Sequence, residues 1–136
     1  MNRRWIRRRW IASASGRPRW RRVDRSGRHA VSVELPEGAA LGTTATVVQF
    51  SSAFCQPCRA TRRVIAQVVK DAAAGGTTGV EVIEIDADDN LELTRRWGVQ
   101  STPTVVFLDA DGREVHRGSG QPRTPDIVAG LGKAVG

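Results

Sequence analysis

A cysteine pair lies where a strand gives way to a helix, and this junction constrains the fold more than any other feature of the sequence. Residues 45–50 form a β-branched run typical of a buried strand, and Cys55-Gln56-Pro57-Cys58 follows closely. Residues 56–73 carry apolar side chains on one face and basic ones on the other, which predicts a helix that ends at Gly75-Gly76. A second run at 80–85 predicts another buried strand. The β-α-β order requires these two strands to be parallel.

Hydrophobic periodicity predicts five further elements, which are an edge strand at 30–35, a helix to Trp97, a buried strand at 104–108, a returning strand at 113–117 and a last helix. Asp86 or Asp88 is expected to cap the first of these helices. Residues 109–112 read as a hairpin turn. Thr124 is expected to cap the last helix, with Pro125 at its first position. The whole pattern predicts an α/β domain over residues 30–136, with a mixed central β-sheet and helices on both faces.

The basic N-terminal arm, residues 1–29, differs from this domain in charge. Residues 1–30 carry eleven arginines and one aspartate, a net charge of +10, whereas residues 31–136 carry a net charge of −3. Three tryptophans, Trp5, Trp10 and Trp20, are interleaved with the arginines. We expect a disordered, solvated arm. Weak contact with an anionic membrane surface or with nucleic acid stays open, because arginine pairs with phosphate and tryptophan suits headgroups or stacked bases.

The hydropathy of the sequence indicates in which cellular compartment the protein is expected. No uninterrupted apolar run approaches the roughly 18 residues that cross a bilayer, and the segment after the first arginines is too short and polar for a secretory signal. Two cysteines in 136 residues also rule out a disulfide-stapled scaffold. We therefore expect a cytoplasmic protein, with a membrane-associated form open if the true start lies upstream.

The cysteine pair predicts redox chemistry. Only a thiolate attacks a disulfide, and the free N–H groups of a helix N-terminus favour the thiolate at Cys55. Cys58, one turn later, is near enough to close a disulfide and to act as the resolving thiol. Half a zinc site and two chance buried cysteines are the alternatives. Zinc needs two more ligands, and His29 and His116 do not stand at ligand spacing, so we expect no metal.

Several motifs, taken in order, make the chain from about residue 40 to the end resemble thioredoxin. They are Val47-Val48-Gln49-Phe50, the segment from Ala53 to Arg59, Ile85-Asp86, Trp97-Gly98-Val99, Ser101-Thr102-Pro103-Thr104, and Phe107 with Asp111-Gly112. The resemblance implies a thioredoxin-like fold and a thiol-disulfide oxidoreductase that reduces or exchanges protein disulfides without a cofactor. It implies as partners a disulfide-containing protein and a thioredoxin reductase or other thiol donor. We expect a monomer.

The resemblance also implies a substrate groove. Pro103 would follow a cis peptide bond and face the cysteines, and the backbone of Thr102 would pair with the substrate chain as an added strand. Phe54, Gln56 and Pro57 would complete the substrate-binding surface. An ordinary trans proline that opens a strand is the alternative for Pro103.

Four positions depart from the thioredoxin pattern. Phe54 stands where tryptophan is usual, and Gln56 where glycine is usual. Gln49 replaces the buried aspartate that deprotonates the resolving thiol, and Val82 replaces the lysine that partners it. Resolution of a mixed disulfide should then be slower, unless Glu84 or a water serves as the base. Alternatively, Gln49 is a strand residue satisfied by backbone hydrogen bonds.

The missing base favours a second class of function. The chain would then be a non-catalytic thioredoxin-like binding module that docks partners at the Thr102–Pro103 groove and is tethered to membrane or nucleic acid by its arm. The retained cysteine pair and Pro103 favour the enzyme instead. Trp97 is expected to belong to the core and not to a substrate platform.

Overall fold

The computed structural model describes residues 34–136, together with two short strands in the arm. These strands, β1 (Ile11–Ala12) and β2 (Pro18–Arg19), pair antiparallel. The disorder predicted for residues 1–29 otherwise falls outside the described residues and stays a prediction. The edge strand predicted at 30–35 also begins outside them. Its described end, Glu34-Leu35, is not a strand: the Glu34 carbonyl accepts a hydrogen bond from a tryptophan side chain, and Leu35 is buried in the core.

The domain follows the predicted β-α-β pattern and extends it with a hairpin and a last helix. Its elements are β3 (Ala45–Ser51), α1 (Gln56–Ala74), β4 (Val80–Asp86), α2 (Leu91–Arg96), β5 (Thr104–Asp109), β6 (Glu114–Ser119) and α3 (Thr124–Val135). The sheet order is β4-β3-β5-β6, with β3 parallel to β4 and antiparallel to β5. The predicted mixed sheet is thereby confirmed.

Two apolar layers cover the two faces of the sheet. On one face α1 and α3 pack on β3 and β5 through residues such as Ile65, Ile127 and Phe107. On the other face Phe50 and Ile85 belong to a second cluster, against which the partly buried residues of the 39–41 loop and of α2 pack. Helices therefore lie on both faces, as predicted.

Trp97 is a core residue. Its ring packs against Phe50, with centroids 5.5 Å apart, and its Nε1 donates a 2.8 Å hydrogen bond to the carbonyl of Glu34. The expectation that Trp97 belongs to the core is confirmed.

Two further local predictions, on β4 and on the helix that follows it, were wrong. Strand β4 is buried on one face only: among the described strands it pairs only with β3, Ile83 and Ile85 face the core, and Val82 is 41% exposed. The helix after it starts later than predicted, with Asn90 and not Asp86 or Asp88 as its N-cap. The reason is that the Asp86 carboxylate accepts the N–H groups of residues 88 and 89 and closes a turn ahead of the helix.

The last helix also begins one position early. Arg123 is its N-cap, so Thr124 and Pro125 occupy its first two positions. The Arg123 N–H donates to the Asp126 carboxylate at 2.9 Å, and this capping-box contact three residues into the helix fixes Arg123 as the N-cap. Within the described residues, no helix is both long and apolar enough to span a membrane.

Candidate active site

The two cysteines are joined at the N-terminus of α1. Cys55 is the N-cap residue, and its sulfur accepts a 3.2 Å hydrogen bond from the N–H of Cys58. The structure shows the pair as a disulfide, with Cα atoms 5.2 Å apart. Cys55 is half-buried, whereas Cys58 is 1% exposed. When the pair is reduced, the helix N-terminus and this N–H stabilise a thiolate at the more accessible sulfur, Cys55.

Gln49 lies directly beneath the cysteine pair. Its side chain is 1% exposed, and its Nε2 donates a 2.9 Å hydrogen bond to the carbonyl oxygen of Cys58. The amide is therefore satisfied by a backbone group, as the alternative reading of Gln49 predicted. An amide cannot accept a proton at neutral pH. Gln49 therefore does not act as a base at the position where the thioredoxin pattern has an aspartate.

Glu84 stands beside Gln49 on the neighbouring strand and is bound by two partners. Arg62 donates to both carboxylate oxygens, at 2.9 and 2.5 Å, and the Ser51 hydroxyl donates at 2.7 Å. Hydrogen bonding from Arg62 lowers the pKa of Glu84, with Ser51 acting in the same direction. The same pairing raises the pKa of Arg62. A carboxylate held in this way is a weak proton acceptor, which argues against Glu84 as the replacement base.

The loop before β5 carries the predicted cis bond. Thr102–Pro103 is cis, which confirms that expectation for Pro103 and removes the trans alternative. Pro103 is buried and Thr102 half-buried. The Thr102 and Ser52 hydroxyls lie 3.0 Å apart in a hydrogen bond, which ties this loop to the segment that leads into the cysteines.

Phe54 is the most exposed large apolar residue of the site. Its ring is 97% exposed, and its φ of 60° is left-handed, which is uncommon for a residue other than glycine. Gln56 and Pro57 are also exposed, at the first two positions of α1. Pro57 fits there because the first turn of a helix has no partner for the missing N–H.

Sequence reasoning missed three contributors to the site: Ser51, Ser52 and Arg62. Ser51 could have been found from the predicted parallel pairing of β3 with β4, because that register places Gln49 beside Glu84 and Ser51 beside Asp86. The Arg62–Glu84 pair depends on how α1 crosses the sheet, and no spacing in the sequence encodes it. In the part of the chain that is described, no group of three His, Cys, Asp or Glu side chains is arranged to hold a metal ion.

Comparison with known proteins decides the family. A family model described as Thioredoxin matches residues 39–133. The chain belongs to the thioredoxin family. Its relatives within that family include thioredoxin H2-1 of Oryza sativa subsp. japonica, which is 35% identical over 55% of this chain and 50% of its own length. Thioredoxin-1 of Drosophila yakuba is 34% identical over 65% of this chain and 79% of its own length.

Structural comparison gives the same family. Fasciola hepatica thioredoxin matches with a TM-score of 0.56 and 28% identity, covering 68% of this chain and 83% of that one. A thioredoxin from Nicotiana alata matches with a TM-score of 0.55 and 28% identity, covering 69% and 76%. The chain spans about half the length of the plant thioredoxins that it matches in sequence.

Proposed function

We propose that this thioredoxin-family protein is a thiol-disulfide oxidoreductase. The Cys55 thiolate attacks one sulfur of a substrate disulfide, forming a mixed disulfide while the substrate S–S bond breaks and the leaving sulfur takes up a proton. The Cys58 thiol loses its proton and attacks Cys55, which releases the second substrate thiol and closes the Cys55–Cys58 disulfide. Two electrons pass from the protein to the substrate. An external dithiol donor then returns the protein to its reduced form.

The observation that carries this proposal is the Cys55–Cys58 disulfide at the N-terminus of α1. Two thiols that close a bond within one helical turn give up two electrons and two protons, and the disulfide takes them back when it is reduced. The accessibility of Cys55 and the burial of Cys58 support their division into attacking and resolving thiols. The chemistry requires no metal or organic cofactor.

Substrate docking is proposed for the surface around Cys55. The chain turns at the cis bond before Pro103, and the hydrogen bond between Thr102 and Ser52 holds this turn beside the segment that leads into the cysteines. The backbone groups of Thr102 would then pair with an extended substrate strand. The exposed ring of Phe54 offers an apolar contact, and Gln56 and Pro57 border the attacking sulfur.

Partners and location remain proposals of the same kind. We propose a disulfide-containing protein as substrate, a thioredoxin reductase or other thiol donor as reductant, a monomeric state and a cytoplasmic location. The basic arm would add weak contact with an anionic membrane surface or nucleic acid. Salt-sensitive binding to vesicles or RNA that disappears when residues 1–29 are deleted would support that contact.

Cysteine substitutions test the enzyme directly. The full chain would be reduced with a dithiol and mixed with a disulfide-bonded protein, and free thiols would be followed by alkylation and mass. We expect turnover in the wild type, loss of turnover in Cys55→Ser and a trapped mixed disulfide in Cys58→Ser. The double Cys55→Ser, Cys58→Ser variant is the control that reveals any contaminating reductase. A wild type that reduces no disulfide would refute the proposal.

A redox titration in glutathione buffers sets the direction of the reaction. A potential near or below about −230 mV marks a reductant, and one above about −180 mV marks an oxidant or isomerase. The second candidate, a non-catalytic binding module, is favoured by Gln49, which provides no base beneath Cys58. The binding module would be favoured if the wild type formed no Cys55–Cys58 disulfide at any glutathione potential and the double cysteine variant still bound its partner.

A further inference from the structure

A polar cleft of about 420 Å³ opens beside the attacking cysteine. It is large enough for one or two substrate side chains. The segment from Ser51 to Cys55 lines part of it, and four charged side chains contribute to the remainder. These are Arg59, Arg62, Glu84 and Asp86. Substrate residues next to a disulfide that is positioned for attack by Cys55 would therefore meet these charged side chains.

Three of these four groups already have close hydrogen-bond partners within the protein. Arg62 and Glu84 form an ion pair with two hydrogen bonds. The Asp86 carboxylate accepts two backbone N–H groups, from Asp88 at 2.9 Å and Asp89 at 3.2 Å. Arg62 is therefore already paired with a carboxylate, whereas Glu84 and Asp86 are themselves carboxylates that already accept donors from the protein.

Arg59 is the exception. It is exposed, and among the described residues its guanidinium has no carboxylate within ion-pair distance; its side-chain hydrogen bond is a 3.5 Å contact with the Gln56 amide oxygen. It stands one helical turn after Cys55, whose carbonyl accepts the Arg59 N–H at 3.3 Å. The first turn of α1 holds no acidic residue that would offset this cation.

We propose that Arg59 binds a carboxylate next to the disulfide of an acidic substrate segment, and so selects such substrates. The inference rests on the oxidoreductase activity proposed above. A substrate carboxylate that approaches the Cys55 thiolate meets like-charge repulsion, which Arg59 offsets by pairing with it. Arg59 is thus a specificity-determining residue and takes no part in the electron transfer.

The test compares three peptides that differ only beside one disulfide, where they carry Asp, Asn or Lys. Reduced full-length protein would be assayed for kcat/KM on each. For the wild type we expect the Asp peptide to exceed the Asn peptide by about three- to five-fold at low salt, and the Lys peptide to be the poorest. The Asp preference should shrink as salt screens the pair.

Arg63→Gln is the matched control, because it removes the same charge one turn further along α1, outside the cleft. Arg59→Gln should reduce the Asp-to-Asn ratio to about one, Arg59→Lys should restore part of it, and Arg63→Gln should retain it. An equal loss in the Arg59 and Arg63 variants, or a wild type with no Asp preference, would overturn the inference. If no peptide is reduced by any variant, the proposed activity itself fails.

Discussion

Gln49 donates a 2.9 Å hydrogen bond from a fully buried strand position to the carbonyl oxygen of Cys58. The bond links the central strand β3 to the first turn of α1, where the resolving thiol is held. It also places a neutral, non-ionisable group at a buried position beside Cys58. The first turn of α1 is therefore supported by a neutral amide, and Gln49 offers no group that could accept a proton from Cys58.

Gln49→Glu tests this relationship, because it keeps the shape of the side chain and adds a charge. The ionised carboxylate would face a carbonyl oxygen in a buried site, which raises the pKa of the introduced group. We expect a loss of about 1–3 kcal/mol of unfolding free energy at pH 7.5, measured by urea denaturation. The deficit should be small below about pH 4.3 and grow as pH rises through the folded-state pKa, because the protonated form can donate to the carbonyl.

Gln49→Met is the matched neutral variant. It removes the hydrogen bond without a titrating group, so its loss of about 1 kcal/mol should not change with pH. Parallel pH profiles for the two variants would contradict the placement of this side chain against the Cys58 carbonyl.

Glu84→Gln should destabilise the protein only where the carboxylate is ionised. Arg62 lowers the pKa of Glu84, so the stabilisation is complete above the unfolded-state value of about 4.3 and is lost as pH falls through the lower folded-state value. Because both side chains are partly exposed, we expect at most about 1 kcal/mol at pH 7, and this difference should shrink in acid as the carboxylate is protonated. Glu81→Gln, on the same strand, is the control. A deficit that persists in acid would refute the ion-pair explanation.

Gly130→Ala and Gly132→Ala should have opposite effects, although both glycines lie in α3. A Cβ at Gly130 would collide with the ring of Phe107, whereas one at Gly132 would meet open space. We expect Gly130→Ala to lower the unfolding free energy by about 1–3 kcal/mol and Gly132→Ala to raise it by about 0.5–1 kcal/mol. Thermal and urea denaturation would measure both. A stabilising Gly130→Ala would show that α3 does not pack this closely on β5.

Phe54→Gly and Phe54→Ala separate backbone strain from the contribution of the ring. Phe54 has a left-handed φ of 60°, which favours glycine over alanine by about 1 kcal/mol. We therefore expect the glycine variant to be the more stable of the two by about that amount in urea denaturation. Both should reduce protein disulfides less well, because both lack the exposed ring. Equal stabilities would contradict the left-handed conformation.

Much of the site was predictable because its signals are local. The Cys55–Cys58 spacing, the helix pattern that follows and Pro103 ahead of a β-branched strand each depend on a few neighbouring residues. The Arg62–Glu84 pair was not predictable, since its partners are 22 residues apart and meet only when α1 crosses β4. The exposure of Val82 was missed for a related reason: an apolar run does not say whether a strand is paired on both edges.

The sequence by itself determined the element order, the cysteine pair at a strand-to-helix junction and the absence of a buried acid beneath it. These follow from residue identity and from periodicities of two and 3.6, which are set by the backbone. Only the tertiary structure decided that Gln49 contacts the Cys58 carbonyl, that Glu84 is occupied by Arg62 and Ser51, and that Arg59 is left without a carboxylate. Each depends on distances between elements, which are set by packing across the sheet.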